Sequence, residues 1–220
     1  YNTGIFLNAD SIENELSTKG FIDLSEFNLN LTQKDLDKFL LTERAVSLIK
    51  KSIEDNHLIE FSLKENIIID AVKETHSYEG ALISSFLRYH LQEHKIDFCF
   101  ESVMSHPSKI DEIKEAKQKG YKTYLYFICI DDIEVNISRV ENRVEKGGHS
   151  VSIEKISNRY YNTLNNLINM IEIVDKCYLF DNSSDEFKLI SKITQGRLSI
   201  EVEPDELPNW FVNYVLKFYL

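Results

Sequence analysis

The sequence lacks the features that would mark several classes of protein. Its 220 residues include only three prolines and seven glycines, so no stretch has the composition of a linker or a low-complexity segment. No apolar run reaches the roughly 18 residues that a membrane-spanning helix needs. No repeat at the spacing of solenoid proteins is present either. What is left is a globular chain, long enough for one large domain or two small ones.

Cysteines are few, and the 36 acidic residues outnumber the 25 lysines and arginines. The cysteines, Cys99, Cys129 and Cys177, each lie within an apolar run, and neither a C-x-x-C pair nor a Cys/His metal spacing occurs. We therefore expect buried, reduced thiols and a reducing compartment such as the cytoplasm. The net charge of −11 argues against a protein that coats DNA or RNA, because that needs clustered lysine and arginine. A few local cations would still suffice to bind a phosphorylated small molecule.

Short apolar runs alternate with longer helical patterns along the chain, which favours an α/β fold with a mostly parallel sheet flanked by helices. The runs that predict strands are residues 4–10, 96–103, 122–131, 176–183 and, near an edge, 197–204. The segments that predict helices are 31–55 with Thr32 as a cap, 63–94 with a break near Gly80, 108–119, 133–146, 153–174 and an aromatic terminal helix within 209–220 that packs on the core.

Polar side chains follow the first two predicted strands, at the edge where parallel α/β sheets bind ligands. A pair of carboxylates such as Asp10 and Glu101 could supply a general base and a Mg²⁺ ligand. The alternative is that these acids cap the helices that follow the strands. The polar residues at this edge are Asn8, Asp10, Glu101, Ser102, Ser105 and His106.

Three arginines lie in the stretch RVENRVEKGGHSVSIEKISNRYYNTL at 139–164, although the chain as a whole is acidic. Arg139 and Arg143 are four residues apart and share a helix face, and Arg159 lies on the next predicted helix. Guanidinium groups match phosphate oxygens bidentately and keep their charge. Two helices joined at Gly147-Gly148 could therefore close over a triphosphate and open again.

Each of these signals has a purely structural alternative. The arginines could belong to a solvated face with ion pairs to Glu141 or Glu145, and His149 could make a contact within the glycine hinge. Asn182 follows the strand in YLFDNSSDEF, where it could contact a nucleotide base or simply form a turn. Residue spacing alone leaves these alternatives open.

Four blocks of the sequence together resemble the zeta-toxin-like family of bacterial P-loop kinases: NADSIENEL, FESVMSHPSKIDEIKEAKQKGYKTYLYF, RVENRVEKGGHSVSIEKISNRYYNTLNNL and YLFDNS. The likeness extends over nearly the whole chain. It implies one three-layer α/β/α kinase domain over 1–220, with a lid at 133–164, that uses ATP or GTP and Mg²⁺. In the best-known members the acceptor is a hydroxyl of a UDP-N-acetyl amino sugar, and such a protein could be the toxin that an antitoxin protein counteracts.

The resemblance also implies a role for each candidate residue. Asp10 matches the catalytic base on the acceptor hydroxyl, and Glu101 matches the acid that holds metal and positions substrate. Arg143 and Arg159 match lid arginines that bind the triphosphate and neutralise charge in the transition state. The further candidates are Arg139 and Asn182 for the nucleotide, and Asn8, Ser102, Ser105 and His106 for the acceptor.

Two departures from the family pattern bear on function. Toxin-type members carry a threonine two residues after the strand-end glutamate, where this chain has Val103, so the acceptor could differ from a UDP-sugar. The sequence also contains no G-x-x-x-x-G-K-[ST] loop, which cradles phosphates in the family. We expect that the native N-terminus, with this loop, precedes Tyr1. The alternatives are a loop strand supplied by another chain, or a pseudokinase that binds a nucleotide or a partner without catalysis.

Overall fold

The computed structural model describes residues 4–71, 77–145, 151–184 and 186–220. The chain divides into two compact units, Tyr1–Ser102 and Val103–Leu220, and each has its own buried apolar cluster. The expectation of a single domain stays a prediction. The proposed hinge residues Gly147, Gly148 and His149 lie outside the described residues. Within the described ranges, no helix has both the length and the apolar character needed to cross a bilayer.

The first unit combines a parallel strand pair, a small antiparallel sheet and helices. Its strands are β1 (Ile5–Leu7), β2 (Phe21–Asp23), β3 (Phe61–Lys64), β4 (Ile67–Asp70) and β5 (Phe98–Phe100). Its helices are α1 (Ala9–Lys19), α2 (Gln33–Leu40), α3 (Glu43–Glu54) and α4 (Ser77–Glu93). β1 and β5 pair in parallel, whereas β4 lies between β2 and β3 in the antiparallel sheet.

Helix α4 is buried along most of its length and packs closely on α1. The contact depends on Gly80, because a Cβ atom there would lie 2.6 Å from the carbonyl oxygen of Ala9 and 2.9 Å from the Cβ of Glu13. Real side chains do not approach so closely, so glycine is required at this position. The first turn of α1 is therefore fixed against α4.

The predicted helical region 63–94 is wrong in its first part. Residues from Phe61 to Asp70 form the β3–β4 hairpin, and the turn residues Glu65 and Asn66 have φ angles of 51° and 65°. Two successive residues with positive φ form the hairpin turn whose twist matches that of paired strands, and Asn favours this conformation. The predicted break near Gly80 is also wrong, because α4 continues through it.

The predicted amphipathic helix 31–55 is interrupted and forms two helices. Thr42 starts α3, and its Oγ1 accepts a hydrogen bond from the backbone N of Ala45 at 3.4 Å. The predicted cap of α2 is confirmed: the carboxylate of Asp35 accepts hydrogen bonds from the N and Oγ1 of Thr32 at 2.9 and 2.7 Å. These two bonds lower the pKa of Asp35.

The second unit is a four-stranded sheet with helices. Its strands, in the order β6-β7-β8-β9, are β6 (Tyr124–Cys129), β7 (Lys176–Asp181), β8 (Lys188–Thr194) and β9 (Arg197–Ile200). Its helices are α5 (Ser108–Gln118), α6 (Ile133–Glu145), α7 (Ile153–Ile173) and α8 (Asn209–Tyr214). β6 and β7 are parallel, and β8 and β9 extend the sheet as an antiparallel hairpin.

The α/β class predicted from the sequence is confirmed, with more antiparallel pairing than expected. The parallel pairs are β1–β5 and β6–β7, and β9 is the edge strand that the sequence predicts. The sequence analysis misses β8. Its signal is the turn at Gln195-Gly196, where φ is 52° and 74°, between two short β-rich runs.

The inward face of β6 and β7 forms the core of the second unit with α7 and the chain end. Cys129 and Cys177 are buried in this core, and burial raises the pKa of both thiols to about 12, so they remain neutral and unreactive. Trp210 and Phe211 of α8 are 2% and 0% exposed, which confirms that the aromatic terminal segment packs on the core.

We predict that His90 makes the first unit sensitive to acid. Its Nε2 is buried and has no hydrogen-bond partner among the described residues, and its ring centroid lies 4.6 Å from that of Phe86. Burial lowers its pKa to about 4; Asp35 and Glu93 oppose this effect, and His94 adds to it. Histidine in the unfolded chain titrates near pH 6.5. Between about pH 4 and 6.5 the unfolded state therefore binds more protons, and the free energy of unfolding falls as the pH falls.

The substitution His90→Leu removes this proton uptake. We expect thermal melts between pH 4 and 7 to show a smaller loss of Tm on acidification than the native chain shows. Parallel pH profiles for His90→Leu and the native chain would contradict the assignment.

Candidate functional site

Asn8 and Glu101 meet at the carboxyl end of the β1–β5 pair. Asn8 begins α1: its Oδ1 accepts a hydrogen bond from the backbone N of Ser11 at 3.0 Å. Its Nδ2 donates to Oε2 of Glu101 at 2.7 Å. The backbone N of Glu101 donates to the carbonyl of Leu7 at 3.2 Å. Asn8 therefore joins the start of α1 to Glu101 and orients that carboxylate.

Asp10 lies in the first turn of α1 with an exposed side chain. Negative charge is favourable there because the helix dipole is positive at its N-terminus. The helix cap is Asn8, so capping does not explain Asp10. Among the described residues, no hydrogen bond or ion pair engages its carboxylate. The packing of Gly80 on Ala9 fixes the first turn of α1 and so the position of Asp10, whose role as a base stays a prediction.

Glu101 is a candidate Mg²⁺ ligand, and this role stays a prediction. Its side chain is exposed, and Asn8 holds one of its two carboxylate oxygens. The described residues contain no group of three or more His, Cys, Asp or Glu side chains that could enclose a metal. Mg²⁺ in nucleotide sites usually takes only one or two protein carboxylates and completes its shell with phosphates and water. The residues therefore fit that kind of site and not an all-protein cage.

Side chains of helix α7 donate hydrogen bonds to the backbone of the segment that follows Ser102. Met104 has a left-handed φ of 57° and a side chain only 6% exposed, whereas Ser102 and Val103 are exposed. Thr163 donates to the carbonyl of Val103 and Asn166 to that of Met104. These two bonds could not be predicted from the sequence, since nothing in the residue pattern of α7 marks them.

The two remaining acceptor candidates lie just before α5. Ser105 is half-buried. The Nδ1 of His106 accepts a hydrogen bond from the backbone N of Ser108 at 3.2 Å and lies 2.9 Å from its Oγ. His106 therefore satisfies a free amide at the start of α5, and a contact with substrate stays a prediction.

The three arginines have different surroundings in the second unit. Arg139 donates from Nη2 to the carbonyl of Asn182 at 3.0 Å, and the N of Asn182 donates to the carbonyl of Cys129 at 2.8 Å. Arg143 on α6 and Arg159 on α7 are exposed. Neither forms a hydrogen bond or an ion pair with any described residue. Arg139 thus has a structural contact, whereas Arg143 and Arg159 are available to an anion.

Carboxylates at the ends of β6 and β7 hold the terminal helix. Asp131 accepts from Nδ2 of Asn209 at 2.7 Å and from the backbone N of Trp210 at 2.8 Å. Asp181 accepts from the indole Nε1 of Trp210 at 2.8 Å. These strand-end acids are therefore occupied by structural bonds.

We predict that Asn8→Asp weakens the first unit at neutral pH. Aspartate caps a helix as well as asparagine does, but it places a second carboxylate where the amide donates to Glu101. We expect a loss of about 1 kcal/mol at pH 7. Urea unfolding at pH 7 measures it. Asn8→Ser, which caps without charge, is the control, and equal stability of the two variants at pH 7 would reject the predicted contact.

Comparison with known proteins gives a family match and two relatives. A family model described as zeta toxin matches residues 43–186, a region that includes Glu101, Arg143 and Arg159. An uncharacterized protein of Haemophilus influenzae is 35% identical over 81 residues, which cover 37% of this chain and 57% of that protein. A polyprotein of Cassava vein mosaic virus is 25% identical over 197 residues, which cover 81% of this chain and 13% of that protein.

The chain spans less than two thirds of the length of both relatives. No solved structure matches it. The matched family has a P-loop kinase-like fold, which agrees with the α/β architecture, and its kinases use a nucleotide with Mg²⁺. Because the family model covers well over half of the sequence, the protein belongs to the zeta toxin family.

Proposed function

We propose that the protein transfers the terminal phosphate of ATP or GTP to a hydroxyl of a small molecule. The observation that carries the proposal is the pair of exposed guanidiniums, Arg143 and Arg159, that bind no described residue. A guanidinium without a protein partner suits phosphate oxygens, which it can bind bidentately. Membership of a nucleotide-using kinase family supports a nucleoside triphosphate as that anion.

Phosphoryl transfer depends mainly on positioning and on stabilising charge. Asp10 would take the proton of the acceptor hydroxyl as its oxygen bonds to the terminal phosphorus. The bond from that phosphorus to the bridging oxygen breaks, and the nucleoside diphosphate leaves. Arg143 and Arg159 would bind the triphosphate and stabilise the transferring group. Glu101, oriented by Asn8, would hold Mg²⁺, which neutralises phosphate charge when bound.

The finer proposals concern the acceptor and the biological role. We propose a small-molecule hydroxyl as the acceptor, with a UDP-amino sugar as one candidate, together with a toxin activity that an antitoxin protein counteracts and action in the cytoplasm. Val103 stands where toxin-type members have threonine, and its side chain is 55% exposed. It therefore offers no hydroxyl to a sugar, so nucleosides and other sugar nucleotides belong in any acceptor panel.

We predict that the native protein transfers phosphate from Mg-ATP or Mg-GTP to one member of such a panel. Since this sequence contains no phosphate-cradling glycine loop, the assay uses the protein with whatever residues its gene encodes on either side. We expect Arg143→Ala and Arg159→Ala each to lower kcat by about 100-fold or more. Asp10→Asn should lower kcat by about 100-fold. Mass spectrometry of the products gives the acceptor.

The matched control is Arg197→Ala, which removes another exposed arginine of the second unit, on β9, and should leave turnover unchanged. Folding of each variant is checked by its thermal melt. A folded native protein that neither transfers phosphate nor hydrolyses the nucleotide would reject the proposal.

A pseudokinase that binds a nucleotide or a partner without catalysis is the second candidate, favoured by the absence of the glycine loop from this sequence. Calorimetric titration with Mg-ATP and Mg-GTP separates the two. Binding without transfer or hydrolysis supports the pseudokinase, whereas any transfer that depends on Asp10 excludes it.

A further inference from the structure

Three side chains on one face of α7 donate hydrogen bonds to main-chain carbonyls outside the helix. They recur every third residue, a spacing that places them on the same side of a helix. We call them the α7 stripe: Tyr160, Thr163 and Asn166. The bonds run from Tyr160 to Ile130 (2.9 Å), from Thr163 to Val103 (2.7 Å) and from Asn166 to Met104 (3.0 Å).

Two members of the stripe hold a strained backbone. A residue other than glycine in the left-handed region costs about 1–2 kcal/mol, and Met104 adopts this conformation with φ at 57°. Such strain persists only where surrounding contacts fix it, and it is concentrated at functional sites. Here Thr163 binds the carbonyl of Val103, just before Met104, and Asn166 binds the carbonyl of Met104 itself. The side chain of Met104 is buried in the core of the second unit. The segment 103–106 that they fix includes the acceptor candidates Ser105 and His106.

Tyr160, the remaining residue of the α7 stripe, connects α7 to the end of β6 by a hydrogen bond. The hydroxyl of Tyr160 reaches the carbonyl of Ile130, directly after β6, and also lies 3.3 Å from that of Asp131. Burial raises the pKa of Tyr160, so the hydroxyl stays protonated and remains a donor. Arg159 precedes Tyr160 in the chain, so the bond that fixes Tyr160 also fixes the backbone from which this guanidinium extends.

We propose that the α7 stripe is a positioning device for phosphoryl transfer, which sets Arg159 and the 103–106 segment from one rigid helix. Its members act through the groups that they hold and are positioning residues. The inference rests on the proposed function, because it assigns the stripe to the same reaction. It goes further in naming Thr163 and Asn166 as the residues that fix the acceptor segment.

The sequence offers matched controls, because two stripe residues stand in doublets, Tyr160-Tyr161 and Asn165-Asn166. Tyr161 and Asn165 are exposed and form no hydrogen bond within the described residues. Asn166→Asp and Asn165→Asp make the same chemical and charge change one residue apart. Tyr160→Phe and Tyr161→Phe remove the same hydroxyl. Thr163→Val completes the set.

The first measurement is hydrogen exchange of the amides in 103–106 by mass spectrometry, which needs no substrate. We expect exchange about tenfold faster in Asn166→Asp and Thr163→Val than in the native protein, because the loss of a bond worth about 1.4 kcal/mol raises local opening tenfold. Asn165→Asp should match the native protein. Unchanged exchange in both stripe variants would overturn the inference.

The second measurement is turnover with Mg-ATP and the acceptor found in the panel, or water if only hydrolysis occurs. We expect Asn166→Asp, Thr163→Val and Tyr160→Phe to lower kcat about tenfold with little change in the KM for Mg-ATP. In an Arg159→Ala background, Tyr160→Phe should have no further effect, since coupled groups are not additive. If the stripe had a purely structural role, its variants would have a lower Tm but an unchanged kcat, and Tyr160→Phe would show no dependence on Arg159.

The outcomes separate the two proposals. An active native protein whose stripe variants turn over as fast as their doublet controls rejects the stripe and leaves the kinase assignment intact. An inactive native protein rejects the proposed function, and the exchange comparison then still decides whether the stripe holds the segment.

Discussion

The structure depends on one constraint: the main-chain polar groups where strands end must find hydrogen-bond partners, because an unpaired buried group costs as much as a lost bond. In this protein side chains from neighbouring helices supply many of those partners. Tyr160 serves the end of β6, and Arg139 serves the turn after β7. In the first unit, Asn8 both starts α1 and holds Glu101 at the end of β5. In each unit, strand ends of the kind that bind ligands in α/β proteins therefore already carry structural bonds.

This constraint separates the candidate residues that make structural bonds from those that do not, a distinction that residue type alone does not give. His106 and Arg139 each have a local structural contact, and Asp131 and Asp181 hold the N-terminal end of α8. Among these candidates, the side chains of Asp10, Arg143 and Arg159 make no hydrogen bond or ion pair with any described residue, so their charged groups remain accessible to a ligand. Glu101 is intermediate, since one oxygen is oriented by Asn8 in a way that suits a metal ligand.

Sequence reasoning succeeded where a signal was local and failed where it was not. The strands β6 and β7 and the cap at Thr32 follow from apolar runs and from one capping pattern. The β3–β4 hairpin was missed because Ile67-Ile68-Ile69 also fits a helix, and only the turn at Glu65-Asn66 shows otherwise. The site was predictable as residue types at strand ends. Its supports, such as Asn166, were not, because a side chain that bonds a carbonyl 62 residues away leaves no periodic trace.

The spacing of charges explains why an acidic chain keeps two bare guanidiniums. Ion pairs within a helix form between residues three or four apart, and no acid stands at those distances from Arg143 or Arg159. Glu141 and Glu145 are each two residues from Arg143 and so lie on another side of α6. Arg139 stands four residues before Arg143 and repels it by a few tenths of a kcal/mol. The sequence contains 36 acidic residues, yet none of them is placed to form an ion pair with Arg143 or Arg159 within their helices. The arrangement is unfavourable for an isolated helix because like charges repel, and the anion that we propose would relieve this repulsion.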